Sequence, residues 1–225
     1  MQVIEYNNYV QLGRAAEKTL RDLKDNLDVA TKEDLRLTVL RAETLRKARE
    51  VTGRKFAVVS DDDVKKGVAG FVTVANAKPH IVESFLDSPD AMKIVSHENG
   101  HVDDLVGGVK DIAIKDNISA QEYEVLNNFT QEHGFDLDEI DLLEGFNEFD
   151  GITRRGKIDG CLYNEKFVPA ALLLEKLCAD MTGRSLRGAY KSHNMDLFYE
   201  LLKSVCAVIA LRERFGFKDG LNLAD

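Results

Sequence analysis

One stretch, Ser88 to Gly108, constrains this chain more than any other, because it carries a helix start, a helix stop and a histidine pair between them. Ser88-Pro89-Asp90 reads as the start: a capping Ser, a Pro at the first helical position and an acid at the positive dipole end. Gly107-Gly108 reads as the stop. Between them Ile94, His97, His101 and Leu105 recur at spacings of three and four, the period of one helix face. The segment His97-Glu98-Asn99-Gly100-His101 is therefore an H-E-x-x-H pattern on a helix. Residues four apart share a face, so both imidazoles can reach one metal ion. Glu98 lies about 100° round from His97 on the same turn, beside the open coordination position, where it can take a proton from a water.

Composition narrows the remaining classes. A chain of 225 residues with 44% hydrophobic content can bury a proper core. Its net charge of -9 and pI of about 5.1 argue against a nucleic-acid partner. No basic run suits an anionic membrane surface, and no apolar run approaches ~20 residues. The first residues, Met1-Gln2-Val3-Ile4-Glu5, lack the charged-then-apolar pattern of a signal peptide. The expectation is a soluble, cytoplasmic chain with no membrane partner. Cys161, Cys178 and Cys206 are three, widely spaced, with no C-x-x-C pair. That pattern speaks against a disulfide framework and against a thiolate metal site. Cys178 and Cys206 fall in apolar helical runs and read as buried thiols.

Along the chain, residues from Tyr9 to Arg49 carry apolar side chains at helical spacing with a break near Thr31, which predicts a pair of packed helices. Lys55 to Ser60 is a short β-branched run and predicts a first strand. Asp61-Asp62-Asp63 lacks the further ligands and the Gly of a calcium loop and reads as a solvated turn. Val68 to Val74 and His80 to Ser84 predict two strands joined by a turn. Pro79 at the head of the second suits an edge strand, since it cannot donate to a ladder, and an exposed edge can pair with an extended peptide. Beyond Gly108 a looser helical insertion runs to His133. Asp136-Leu137-Asp138-Glu139 resembles a capping box opening a helix that ends at Arg155. Asn164 to Thr182 and Asn194 to Phe215 are the last helices.

Two histidines leave a zinc site one protein ligand short. The segment Leu142 to Asp150 is the place to look. Asp141, Glu144 and Glu148 fall on one helix face at i, i+3 and i+7, where like charges repel by a few tenths of a kcal/mol per close pair and a cation would relieve them. Gly145 in mid-helix costs about 1 kcal/mol relative to Ala, tolerable where another backbone comes close. Asp104, three residues beyond His101, can accept the free ring N–H of that histidine, as ligand histidines require; Asp103 and Asp104 read equally as surface acids.

The two motifs together resemble the gluzincin metallopeptidases. Glu144-Gly145-Phe146-Asn147-Glu148-Phe149 is similar to the E-G-F-x-E-Y segment of their aminopeptidase branch, and His97 to Leu105 is similar to the metal helix of the anthrax lethal factor group. The resemblance implies that Glu144 completes a Zn²⁺ site with His97 and His101 and that Glu148 supports a ligand histidine. The gap from His101 to Glu144 exceeds that of thermolysin, which leaves Glu148, and less so Glu139, open as the ligand. The gluzincin reaction also implies an oxyanion donor from the C-terminal lobe: Tyr163, Tyr190 or His193.

The expected fold is α+β: a zincin-like small twisted sheet with an edge strand beside the H-E-x-x-H helix, then a helical C-terminal lobe. Residues 1–54 are expected as an N-terminal helical segment, 55–135 as the sheet and metal-helix sub-domain, and 136–225 as the lobe, within one catalytic domain. The expected activity is zinc-dependent hydrolysis of a peptide or protein substrate, with Glu98 as general base and Tyr163 or His193 as oxyanion donor. The alternatives are a non-catalytic zincin-like binding module and a zinc hydrolase of non-peptide substrates.

Overall fold

The computed structural model describes residues 2–23, 25–155 and 166–215, with the backbone alone for 150–155 and 213. It is α+β, with two compact units, Met1–Val106 and Gly107–Asp225. Among the described residues no helix is long and apolar enough to cross a membrane.

The first unit opens with β1 (Val3–Ile4) and two helices, α1 (Tyr6–Asp22) and α2 (Val29–Thr52). In α1 the buried residues Tyr6, Tyr9, Val10, Gly13 and Ala16 recur at three- and four-residue steps and make the stripe that meets α2. Gly13 permits the close crossing, since a Cβ there would stand 2.3 Å from Cβ of Ala42. Asp28 starts α2 by accepting from the Thr31 backbone N–H at 2.8 Å, and Gly53 ends it at φ +72°. The helix pair matches the sequence expectation; its break lies before Asp28 rather than at Thr31.

Three more strands follow: β2 (Ala57–Val59), β3 (Gly70–Thr73) and β4 (Lys78–Val82). The sheet order is β1-β2-β4-β3, with β4 parallel to β2 and antiparallel to β3. This corrects the placement of the Pro79 strand at an edge. β4 is internal, and β3 is the edge. Proline is accommodated because β2 pairs only with His80, Ile81 and Val82, so Pro79 lies beyond that ladder. Toward β3, Val82 N–H donates to Ala69 O at 2.9 Å. The antiparallel alternation then makes Val72↔Pro79 a pair that exchanges no hydrogen bonds.

The unit ends in α3 (Ala91–Val106), which packs against β3, β4 and α2. The second unit is helical: α4 (Ile114–Asn117), α5 (Ala120–Glu132), α6 (Leu142–Arg155), α7 (Phe167–Thr182), α8 (Leu186–Lys191) and α9 (Met195–Phe215). Its core joins Leu126, Phe146, Leu174, Leu177, Phe198, Leu202 and Val205, all completely buried. Each such side chain contributes about 1.5–3 kcal/mol relative to exposure. Cys178 and Cys206 lie in this core as free thiols. Burial raises the first and pushes the second up to about 12, which disfavours the thiolate a nucleophile needs. Cys161 lies outside the described residues.

The helix start expected at Asp136 is also corrected. Asp136 closes only a turn, accepting from the backbone N–H of Asp138 at 3.0 Å. The cap of α6 is Asp141, whose Oδ1 accepts from Glu144 N–H at 3.1 Å. Ser119 and Glu122 form a full capping box, but on α5.

Candidate metal centre

Helix α3 presents the histidine pair. Ser88 Oγ accepts from Asp90 N–H at 3.1 Å and Ser88 O from Ala91 N–H at 3.1 Å, so Ser88 closes the turn before the helix rather than capping it, and α3 starts at Ala91, two residues after the expected Pro89. Its stop is at the expected place, with Gly108 at φ +84° after Val106. Ile94, Val95 and Val102 anchor the helix in the apolar interior of its unit.

On that helix the Nε2 atoms of His97 and His101 lie 3.0 Å apart, with the two rings at 87°. His97 is 1% exposed. Two ring nitrogens this close can share one N–H or, with both unprotonated, one cation: a tetrahedral ion with bonds of about 2.0–2.1 Å holds two nitrogens about 3.3 Å apart. Nδ1 of His101 is turned the other way, 3.9 Å from a carboxylate oxygen of buried Asp104.

Asp103 has a different task. It accepts from Arg54 Nη2 at 2.7 Å and from Asn99 Nδ2 at 3.2 Å, and Arg54 also donates to Asn99 Oδ1. This cluster ties α3 to the segment that follows α2. The expectation is therefore divided by the structure: Asp104 faces the histidine, and Asp103 holds the helix.

Glu98 is 3% exposed and lies against the edge strand. Its Cγ and Oε1 sit 2.8 and 2.9 Å from where a Cβ of Gly70 would stand. The carboxylate of Glu98 is thus held in a nearly dry setting against β3.

In the second unit, α6 carries Glu144 in its first turn and Glu148 one turn later. Glu148 is fully buried. Asp141 does not join them as a third carboxylate on the face, because it is occupied as the cap. Gly145 answers the reason expected for it: a Cβ there would stand 2.5 Å from the Phe167 carbonyl oxygen of α7.

Among the described residues, one group of three could hold a metal ion: His97, His101 and Glu144. Glu148 is not part of it. Nor is Glu139, which is exposed and ion-paired with Lys166 at 3.5 Å. The oxyanion candidates are distributed differently. Tyr163 lies outside the described residues. Tyr190 is buried in the helical core, its ring 5.6 Å from that of Phe146. His193 sits in the turn between α8 and α9 at φ +53°, with its ring over Gly107, where a Cβ would come within 2.2 Å of it.

Two features of the site escaped sequence reasoning. One is the Arg54-Asn99-Asp103 cluster, which has no local pattern. The other is Gly70, whose position inside the apolar run Val68 to Val74 was a usable signal, since Gly within a strand marks close approach of another group. Comparison of the chain with known protein families, with curated proteins and with solved structures finds no match.

Proposed function

We propose that the chain is a zinc-dependent peptidase of the gluzincin kind, with a zincin-like arrangement of edge strand and metal helix. The observation that carries the reading is the convergence of His97 and His101 at 3.0 Å with the buried Glu98 between them in sequence. A purely structural metal site has no use for that carboxylate. The two imidazoles and Glu144 are the donor set, and two nitrogens with one carboxylate oxygen suit zinc with a position left open. Zn²⁺, when bound, polarises a carbonyl and makes a water acidic enough to attack near neutral pH.

The residues of the chain do the rest. Asp104, its carboxylate facing Nδ1 of His101, helps to orient that ring. Glu98 takes the proton of the attacking water and passes it to the departing amine, so that one water is consumed for each peptide bond cleaved. Strand β3, at one edge of the sheet and packed against α3, offers its outer side to an extended peptide.

The test combines metal analysis with one conservative variant. Wild-type protein never exposed to chelator is expected to hold about one zinc per chain and to cleave a mixture of quenched fluorescent peptides, both lost with His97→Ala. Glu98→Gln is expected to keep the metal and lose cleavage by ~10²–10⁴-fold, the usual contribution of a general base. Protein that carries no stoichiometric metal, or a Glu98→Gln variant with full activity, overturns the reading.

A further inference from the structure

Gly70 lies in the edge strand, 28 positions before the carboxylate it touches, and it is buried. Three atoms surround the point where its Cβ would be: Cγ of Glu98 at 2.8 Å, Oε1 of Glu98 at 2.9 Å and the carbonyl oxygen of His80 at 3.0 Å. Ordinary contacts at a Cβ begin near 3.4 Å, so all three are too close. They are not equally able to yield. The His80 carbonyl belongs to the internal strand β4, paired on both sides, and cannot retreat without disturbing the sheet. The backbone of Glu98 is fixed in α3 between His97 and His101. A side chain at position 70 would therefore push the Glu98 side chain away, within a space that leaves it 3% exposed. Positive φ does not account for this glycine, because Gly70 is not among the residues with that backbone. Its phi permits any residue; the missing Cβ is what matters.

We infer that Gly70 is a positioning residue for Glu98: the bare backbone of β3 forms the seat of the carboxylate and fixes where it stands relative to the histidine pair. The inference rests on the proposed role of Glu98 for its catalytic consequence, but not for the contact itself. A shift of this size matters for proton transfer, since a misplacement of about 1 Å can cost ~10²-fold in rate.

The experiment is a set of cycles at positions 70 and 98 on the full chain, read by thermal unfolding, zinc content and cleavage of quenched fluorescent peptides. Gly70→Ala is expected to lower Tm by about 4–8 °C, as an overpacked site does in a chain of this size. It should keep about one zinc per chain and lose about 100-fold in kcat with little change in KM. In a Glu98→Gln background, which keeps the shape of the side chain, the same Tm loss is expected. In a Glu98→Ala background the offending atoms are gone and most of the Tm loss should vanish. If Gly70→Ala fails to fold on the wild-type background yet folds on Glu98→Ala, the contact is equally established. A Tm loss that persists undiminished in Glu98→Ala, or a Gly70→Ala variant with unchanged Tm and kcat, overturns the inference. A wild type that holds zinc but cleaves nothing refutes the peptidase reading, while the unfolding cycle still decides whether Gly70 seats Glu98.

Discussion

Asp104 stands one turn beyond His101 on α3, its carboxylate 3.9 Å from the ring Nδ1, and is only 4% exposed. The carboxylate faces one ring nitrogen while Nε2 faces His97. Asp104→Asn is expected to weaken zinc binding by ~10–100-fold without emptying the site. Competition with a chromophoric chelator measures this directly; an affinity equal to wild type removes Asp104 from the site.

Glu144 and Glu148 are separated by one turn of α6 and by burial: the first is half-buried, the second fully enclosed. Glu144→Ala is expected to release the metal or weaken it severely. Glu148→Ala is expected to weaken it by only ~10–100-fold and to lower fold stability as well, because an enclosed polar group is removed from its surroundings. Zinc titration of both variants distinguishes them. If Glu148→Ala is the one that empties the site, the likeness to the E-G-F-x-E-Y pattern is out of register by one turn.

Gly145 is the fourth residue of α6, inside the helix, where Ala is intrinsically favoured over Gly by up to about 1 kcal/mol. The Phe167 carbonyl 2.5 Å from its absent Cβ reverses that expectation. Gly145→Ala should destabilise by ~1–3 kcal/mol, as denaturant unfolding will show. A more stable variant means that α6 and α7 separate at no cost.

His80 is 4% exposed, its ring stacked on Phe71 at 4.6 Å, and desolvation lowers its pKa below the ordinary value of 6.5. The unfolded chain therefore binds a proton more readily than the folded one. Its contribution to stability is complete above about pH 6.5 and is lost as pH falls through the lower folded value. Unfolding free energy measured between pH 7.5 and 5 should decline in part for this reason. His80→Gln, which cannot titrate, should flatten that part of the slope; a slope unchanged by the substitution assigns the acid sensitivity to other groups.

What sequence reasoning could reach was whatever short-range physics decides. The end of α3 follows from Gly108 and its start, two residues later than Ser88-Pro89 suggested, lies in the turn that Ser88 closes, while the two-histidine face follows from helical period alone. Gly145 announced a close backbone. The misplaced elements are those where several local signals compete and distant partners choose. Asp136, Asp138 and Asp141 are all competent caps. Asn127, which accepts from Leu137 N–H at 2.9 Å, and Tyr123 and Lys115, which engage Asp138, hold the first two in a turn and leave Asp141 to start the helix. Pro79 carried a true message about a missing donor. The sheet satisfied it by ending the β2 ladder at His80 rather than by moving the strand to an edge.

Strand β1 has only two residues, yet it covers the outer side of β2, whose Ala57, Val58 and Val59 are at most 1% exposed. It is held there by Gln2 and Glu5, which bond to Asp63 and Lys78. Without that cover, a fully apolar strand would display an open row of backbone donors and acceptors, the template on which chains add to one another and aggregate. Those few residues thus serve colloidal behaviour as well as stability: replacing Val3 and Ile4 by proline should raise aggregation at high concentration.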